Sequence, residues 1–290
     1  MDPEYLAIIY GLAAAASWGS GDFMGGLASK RAPVLRVVLL SQAVGAGLVL
    51  VLALLLQESF PRWPVLGIAA LAGMSGVVGV LALYYGLATR PMGLMAPLTA
   101  VISALLPVAV GAWQAGLPGL STLFGFVFAL LAVWLLSSPG PGGRLGRCDL
   151  GLPLLAGLGF GFFFVLIDRA SSTAIYWPQV AVRFGSLSLV LFLSQLGRFG
   201  FLPAAKGGHW PAGLPPPWVV IILTGLFDTA GNVFFALSSQ AGRLDIATVV
   251  SSLYPAGPVL LAALLLRERL SRMQWLGVLS ALVALVLIAM

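Results

Sequence analysis

The stretch that decides the fold lies in the last quarter of the chain, where residues 218–240 read WVVIILTGLFDTAGNVFFALSSQ and residues 246–275 read IATVVSSLYPAGPVLLAALLLRERLSRMQW. Three apolar segments follow one another here, and the last continues to Met290. Asp228 and Asn232 interrupt the middle of the first segment, whereas the strong charge is confined to a connector at 267–272. Lipid outside a helical bundle and a polar pocket inside it would require this distribution.

The composition of the whole chain points the same way. Of its 290 residues, 60% are hydrophobic and only 8% are charged, whereas a soluble domain carries about 25% charged residues. The apolar runs lack the alternation of a membrane β-barrel, so the backbone must be hydrogen-bonded within helices. These features predict an all-α integral membrane protein.

About ten apolar runs are long enough to cross a bilayer, which takes about 20 residues per helix. Charged or Pro/Gly-rich connectors separate them. The predicted transmembrane helices span residues 5–28, 34–56, 64–89, 92–115, 119–137, 150–168, 175–197, 217–240, 245–266 and 273–290.

A Pro/Gly-rich run at residues 138–143 lies near the midpoint of the chain and predicts a loop there. It divides the chain into two sets of five helices with a short connection between them. The predicted division is a first five-helix repeat at 1–138, a linker at 139–149 and a second repeat at 150–290.

A weak internal repeat supports that division. Gly73 and Gly79 of the third predicted helix are followed 152 residues later by Gly225 and Gly231 of the eighth. Because five is an odd number, the second set must run through the membrane in the opposite direction to the first. Two inverted repeats around a central cavity are a common plan of secondary transporters, with the binding site near the midplane.

The basic residues predict an orientation and account for the formal net charge of +6. Most lie in the connectors after the first, third, fifth, seventh and ninth helices, which the positive-inside rule places in the cytoplasm. Both termini are therefore predicted to face outward, and the charge is attributed to loops rather than to a nucleic-acid site. These connectors hold Lys30, Arg31, Arg36, Arg90, Arg144, Arg147, Arg198, Lys206, Arg267, Arg269 and Arg272, against Arg62, Arg169 and Arg243 in the others.

Several functions find no support in the sequence. Cys148 and His209 are the only cysteine and histidine, so we expect no intrachain disulfide, no metal cluster and no metal cofactor. A phosphate-binding Gly-rich loop followed by Lys and Ser or Thr is absent, which excludes an ATP motor of that kind. No nucleophile has an obvious base, and we predict that the protein is not an enzyme.

Ionisable side chains within the predicted spans are the first candidates for a binding site, because they are costly in lipid and usually face a bundle interior. Asp22 is interpreted either as a proton or cation site or as a residue hydrogen-bonded near the interface. Asp228 is deeper, with Asn232 one turn on. Arg183 is interpreted either as the partner of an internal carboxylate or as a clamp for a substrate carboxylate. Asp168 is expected at a solvated helix end.

Other polar and aromatic residues complete the candidate site. Trp18, Tyr84 and Tyr254 adjoin small or polar residues and are predicted to form pocket walls, whereas most other aromatic residues, such as Phe160, Phe163 and Phe164, are expected to pack or to face lipid. The predicted substrate-binding residues are Trp18, Asp22, Tyr84, Gln179, Arg183, Asp228, Asn232, Ser251 and Tyr254.

The run LLLRERLSRMQWLG at 264–277 resembles a signature of the EamA family of the drug/metabolite transporter superfamily, and the upstream SSLYP at 251–255 and Trp18-Gly19 add to the likeness. The resemblance covers the length of the chain and its ten predicted helices. It departs from the pattern at 113–118, where the first half lacks the Glu-Arg pair that Glu268 and Arg269 supply in the second.

The resemblance implies an exporter or exchanger of amino acids and other small polar metabolites, working by alternating access in the inner (cytoplasmic) cell membrane, with protons as a possible coupling ion. Two alternatives stay open: proton-coupled efflux of lipophilic cations, and a non-transporting membrane subunit in which the polar groups serve only packing. Both halves lie in one chain, so a monomer is expected.

Overall fold

The computed structural model describes residues 3–89, 92–136, 150–195, 215–257, 261 and 271–289. Within these ranges the chain is helical and contains no β-strand. The helices are α1 Pro3–Ser29, α2 Val34–Leu55, α3 Trp63–Thr89, α4 Met92–Ala115, α5 Leu120–Leu136, α6 Gly151–Ala170, α7 Tyr176–Gln195, α8 Pro217–Ala241, α9 Leu244–Ser251 and α10 Arg272–Ala289.

Most of these bounds lie within two residues of the predicted ones, but the ninth helix differs. The prediction ran from 245 to 266, whereas α9 ends at Ser251 and a turn follows at 252–255. Pro255 accounts for the break, because it has no N–H to donate to the preceding turn. The predicted linker at 139–149, the charged residues 267–269, Cys148 and His209 lie outside the described residues.

The described helices identify an all-α membrane protein. Six of them are long and apolar enough to cross a membrane: α2, α3, α4, α6, α7 and α8. Two shorter apolar helices lie at Leu120–Leu135 and Arg272–Ile288. Large apolar side chains such as Leu54, Leu71, Phe124 and Phe192 point outward and are more than half exposed. A lipid environment accommodates such a surface, since its acyl chains are as apolar as these side chains.

Eight of the described helices form a closed ring. Following the closest packing from helix to helix gives the order α1, α8, α2, α7, α3, α6, α4, α9 and back to α1. Every neighbouring pair joins a helix from α1–α5 to a helix from α6–α10. The α5 and α10 helices pack on each other outside this ring, and the Ser280 hydroxyl of α10 donates to the Phe128 carbonyl oxygen at 2.9 Å.

Two glycines at related positions allow close backbone approaches within the ring. A Cβ atom at Gly73 of α3 would overlap with the Val182 carbonyl oxygen of α7, and one at Gly225 of α8 would overlap with the Ser41 carbonyl oxygen of α2. Small residues are common where membrane helices approach closely. The glycines noticed as a repeat in the sequence are therefore packing positions.

Polar contacts between connectors occur at one end of the bundle. The Glu58 carboxylate, between α2 and α3, accepts hydrogen bonds from the Ile175 and Trp177 amides at 2.7 and 2.8 Å, and the Trp177 indole donates to the Glu58 carbonyl oxygen at 2.9 Å. The Gln240 side chain, near the end of α8, donates to the Ser171 carbonyl oxygen at the end of α6. Together these contacts hold α2, α3, α6, α7 and α8 to one another at this end.

A further polar link involves Arg243, between α8 and α9. Its guanidinium pairs with buried Asp245 at 2.8 Å. It also donates to the carbonyl oxygens of Ala115, the last residue of α4, and Gly116 at 3.2 and 2.8 Å. The hydrogen bond to the Asp245 carboxylate raises the pKa of Arg243. The connector between α8 and α9 is thereby fixed to the one between α4 and α5.

Candidate functional site

A cavity lies inside the ring, and its empty space, including the open space at its mouth, is about 540 Å³. Its lining comes from α1, α2, α3, α6, α7 and α8, together with Tyr254 in the turn after α9. The lining positions fall in the interior of each helix rather than at its ends, which places the cavity in the middle of the bundle. This is where an inverted-repeat transporter would hold its substrate.

The most polar part of the lining is a three-residue cluster from three helices. Arg183 of α7 is 1% exposed, and its Nη1 atom donates to Asp228 Oδ2 of α8 at 2.5 Å and to Gln42 Oε1 of α2 at 2.6 Å. The Gln42 amide nitrogen donates to Asp228 Oδ2 at 3.3 Å. The Nε and Nη2 atoms of Arg183 have no hydrogen-bond partner among the described residues. Both atoms are buried, so the guanidinium has two donors that no described group satisfies.

A second polar contact joins α1 to α8. The Trp18 indole N–H donates to Asn232 Oδ1 at 3.0 Å, and both residues line the cavity. Gly231 makes room for this indole, since a Cβ there would overlap with the ring. The contact fixes the direction in which the Asn232 amide faces.

Asp22 of α1 also lines the cavity. Tyr84 of α3 interacts with its carboxyl group, and the Tyr84 ring lies directly against Gly25, where a Cβ would overlap with it. The charged residues in the described lining are Asp22, Arg183 and Asp228. With all three ionised, the lining carries one more negative than positive charge.

The lining from α3 and α6 has a different chemistry. It consists of glycine, valine and phenylalanine: Gly73, Gly76, Val77, Val80, Phe160, Phe163 and Phe164. Below, the polar wall denotes Trp18, Asp22, Asp228 and Asn232 of α1 and α8, and the apolar wall denotes Gly76, Val80, Phe160 and Phe164 of α3 and α6. The walls meet where the Phe164 ring lies 5.5 Å from the Trp18 ring, measured between centroids.

The structure brings together six of the nine residues predicted to bind substrate: Trp18, Asp22, Arg183, Asp228, Asn232 and Tyr254 line one cavity. The other three, Tyr84, Gln179 and Ser251, are buried but lie outside its lining. The Gln179 amide donates to the Asn232 carbonyl oxygen at 3.4 Å, and the Ser251 hydroxyl donates to the Gly11 carbonyl oxygen at 3.4 Å. Binding of substrate by all nine stays a prediction.

Several lining residues were missed in the sequence. Phe160, Phe163 and Phe164 were expected to pack or face lipid, but all three line the cavity. Gln42 was not singled out, although an amide in the interior of an apolar helix is a usable signal. Asp168, by contrast, lies outside the cavity lining, near Ser239 of α8. Within the described ranges, no group of three or more His, Cys, Asp or Glu could hold a metal ion.

Comparison with known proteins found a matching family model and a similar known fold. Residues 149–290 match the model of the EamA-like transporter family. A protein of known crystal structure has a similar fold, with a TM-score of 0.74 over 97% of this chain and 95% of its own, at 17% sequence identity. No curated protein matches the sequence.

Proposed function

Because residues 149–290 belong to the EamA-like transporter family, we propose that the chain is a secondary active transporter, an exporter or exchanger of small polar metabolites such as amino acids. Members of this family are transporters rather than enzymes. We further propose that it works as a monomer in the inner cell membrane and moves its substrate by alternating access. Its substrate site is the central cavity.

The observation that carries this proposal is the set of unused donors on Arg183. A buried guanidinium with two unpartnered nitrogen atoms is suited to a carboxylate, which its planar fork can bind at two points. Asp228 and Asp22 supply negative charge on the same cavity for an ammonium group or a proton. A zwitterion could satisfy both kinds of group at once.

The order of the ring supports two inverted halves moving against each other. Exchanging α1 with α6, α2 with α7, α3 with α8 and α4 with α9 maps each pair of ring neighbours onto another pair or onto itself. The α1–α8 pair, for example, becomes α6–α3. A bundle with this exchange symmetry has two related arrangements available to it, and alternating access requires two such states.

One observation favours proton-coupled efflux of lipophilic cations as a second candidate. Asp22 lines the cavity, and among the described residues it forms no ion pair with a basic side chain. Such a carboxylate could receive an organic cation, and aromatic rings beside it could cover the apolar part. The pairing of Asp228 with Arg183 weighs against this candidate, because it removes the second carboxylate from that role.

The two candidates are separated by thermal unfolding of the detergent-solubilised protein with amino acids, organic acids, nucleosides or aromatic cations. A ligand that binds only the folded protein raises the unfolding temperature as its concentration rises above Kd. Metabolite transport predicts stabilisation by zwitterions or anions that Arg183→Ala abolishes and that exposed Arg169→Ala preserves. Stabilisation by cations alone, lost in Asp22→Asn, would favour the second candidate.

Uptake by proteoliposomes then tests transport itself. A stabilising ligand should cross membranes containing the wild-type protein and fail to cross those containing Arg183→Ala. Binding without any transmembrane movement of ligand would contradict both transport candidates. It would instead favour a membrane subunit whose polar groups serve packing.

A further inference from the structure

We infer that the substrate is an amphiphile, with an ionised head on the polar wall and a flat or branched apolar body on the apolar wall. The inference rests on the proposed function and specifies it, since small polar metabolites in general would not need the second wall. It makes the apolar wall the surface that determines specificity.

The helices that carry the two walls lie on opposite sides of the ring, and the walls meet inside it at the Trp18–Phe164 contact. The α1–α8 pair and the α3–α6 pair are separated by α2 and α7 along one side and by α4 and α9 along the other. The charged cluster extends from α8 through Gln42 to Arg183, but no charged residue of the described lining lies on α3 or α6. A bound molecule would therefore meet charge on one side and hydrocarbon on the other.

Packing contacts show that the two walls occupy related positions in the two halves. Gly73 lies against the Val182 carbonyl oxygen as Gly225 lies against that of Ser41. The glycines are 152 residues apart and their partners 141 apart. This pair of contacts therefore defines a register between the two halves: a residue of α3 corresponds to the residue 152 positions later in α8, and a residue of α2 to the one 141 positions later in α7.

A second pair of contacts extends the register to α1 and α6. Gly79 of α3 lies against the Phe160 ring of α6, and in the same way Gly231 of α8 lies against the Trp18 ring of α1. The two aromatic residues are 142 positions apart in the sequence. In the resulting register, each polar-wall residue has an apolar counterpart in the other half. Asp228 corresponds to Gly76, Asn232 to Val80, Trp18 to Phe160 and Asp22 to Phe164.

This one-sided chemistry limits what can occupy the cavity. A molecule that is polar throughout would place groups against the apolar wall without hydrogen-bond partners, which costs free energy. A molecule that is apolar throughout would leave the spare donors of Arg183 unsatisfied. An ionised head joined to an apolar body avoids both costs.

Gly76 is the position at which the size of the apolar body can be tested. A Cβ atom there would lie 3.1 Å from Phe163 Cδ2, which is tighter than an ordinary contact, so a side chain added at Gly76 must push on this ring of the lining. Valine at this position would press on the Phe163 side chain, to which the three atoms nearest to its Cβ belong, and would thereby reshape the apolar side of the cavity. Gly67, on the same helix, provides a matched control, because a Cβ atom added there would have no other group within 4 Å.

The test measures ligand-dependent stabilisation and competition for uptake with matched ligand pairs. Each head type is represented by a small hydrophilic compound and one with an apolar body: serine and phenylalanine, ethanolamine and phenylethylamine, lactate and phenyllactate. Within the head type that binds, we expect the apolar-body ligand to act at a concentration at least about ten-fold lower, a factor that burial of one apolar side chain can supply.

The variants decide where this preference arises. Gly76→Val should weaken binding of the apolar-body ligand by about ten-fold or more, should affect its hydrophilic counterpart much less, and should contrast with an unchanged Gly67→Val. Equal affinity for both members of the pair, or an unchanged preference in Gly76→Val, would overturn the inference while leaving the proposed function intact. Failure of all six compounds to bind or compete would overturn both.

Discussion

Arg183 and Asp228 form a 2.5 Å ion pair although their helices, α7 and α8, are not neighbours in the ring. The α2 helix lies between them, and its Gln42 hydrogen-bonds with both side chains. One buried charge cluster therefore ties together three helices. Any movement that separates α7 from α8 must change the surroundings of a charge that is almost completely buried.

The first prediction concerns the stability that this cluster requires. Asp228→Ala should destabilise the folded protein by about 3–5 kcal/mol, because it leaves the Arg183 charge buried without its counterion. The double variant Arg183→Leu with Asp228→Ala should recover much of that loss but should not transport. Thermal unfolding and proteoliposome uptake measure the two effects. A double variant that is less stable than Asp228→Ala would contradict the explanation.

The second prediction concerns pH. Asp22 is a titratable lining residue outside the Arg183 ion pair, and its charged or titratable neighbours are Tyr84, Tyr254 and Asp228. If it exchanges protons during transport, Asp22→Asn should fold normally but lose most of the pH dependence of the transport rate. Asp22→Glu should retain that dependence. Identical pH profiles for the wild type and Asp22→Asn would exclude a proton role for this residue.

The third prediction concerns the packing of α1 on α3. Gly25→Ala should displace the Tyr84 ring, since the added Cβ would overlap with it, and should thereby disturb the hydroxyl that faces Asp22. We expect reduced transport and a destabilisation of about 1–3 kcal/mol, typical of overpacking. Gly47→Ala on α2 is the control, because no group lies near its added Cβ. Equal activity of the two variants would show that the Tyr84 position is unimportant.

The fourth prediction concerns Glu58. Its carboxylate accepts two backbone hydrogen bonds at the start of α7. Glu58→Ala should cost about 1.5–3 kcal/mol, the range for hydrogen bonds to a charged group, and should make the α6–α7 connector more accessible to proteases. Glu58→Gln, which retains a carbonyl oxygen, should lie between alanine and the wild type. An unchanged unfolding temperature in Glu58→Ala would show that this link adds no stability.

The sequence was a good guide to where helices begin and end. Apolar runs of the right length, ended by charge, Pro or Gly, determine those positions locally, and for α4 the predicted bounds of 92–115 are the observed ones. The exception was the predicted helix at 245–266, which is interrupted by a turn at 252–255 that ends with Pro255.

The rotation of each helix about its axis was harder to predict. Where a helix is apolar on all sides, its pattern does not distinguish a cavity face from a lipid face. Phe163 lines the cavity whereas neighbouring Phe162 is 52% exposed on the outside. Ionisable residues are the exception, because their desolvation cost directs them inward. Asp22, Arg183 and Asp228 were accordingly found together, whereas the apolar wall was not foreseen.

The alternating order of the ring has a consequence for biosynthesis. Each of its helices has both nearest neighbours in the other half of the chain, so α1–α4 leave the ribosome before any of those neighbours exists. The early helices must wait in the bilayer, with Asp22 and Gln42 not yet covered, until the later ones arrive. Tertiary assembly is therefore largely post-translational, and chains truncated near the midpoint should be substrates for membrane quality-control proteases rather than stable half-proteins.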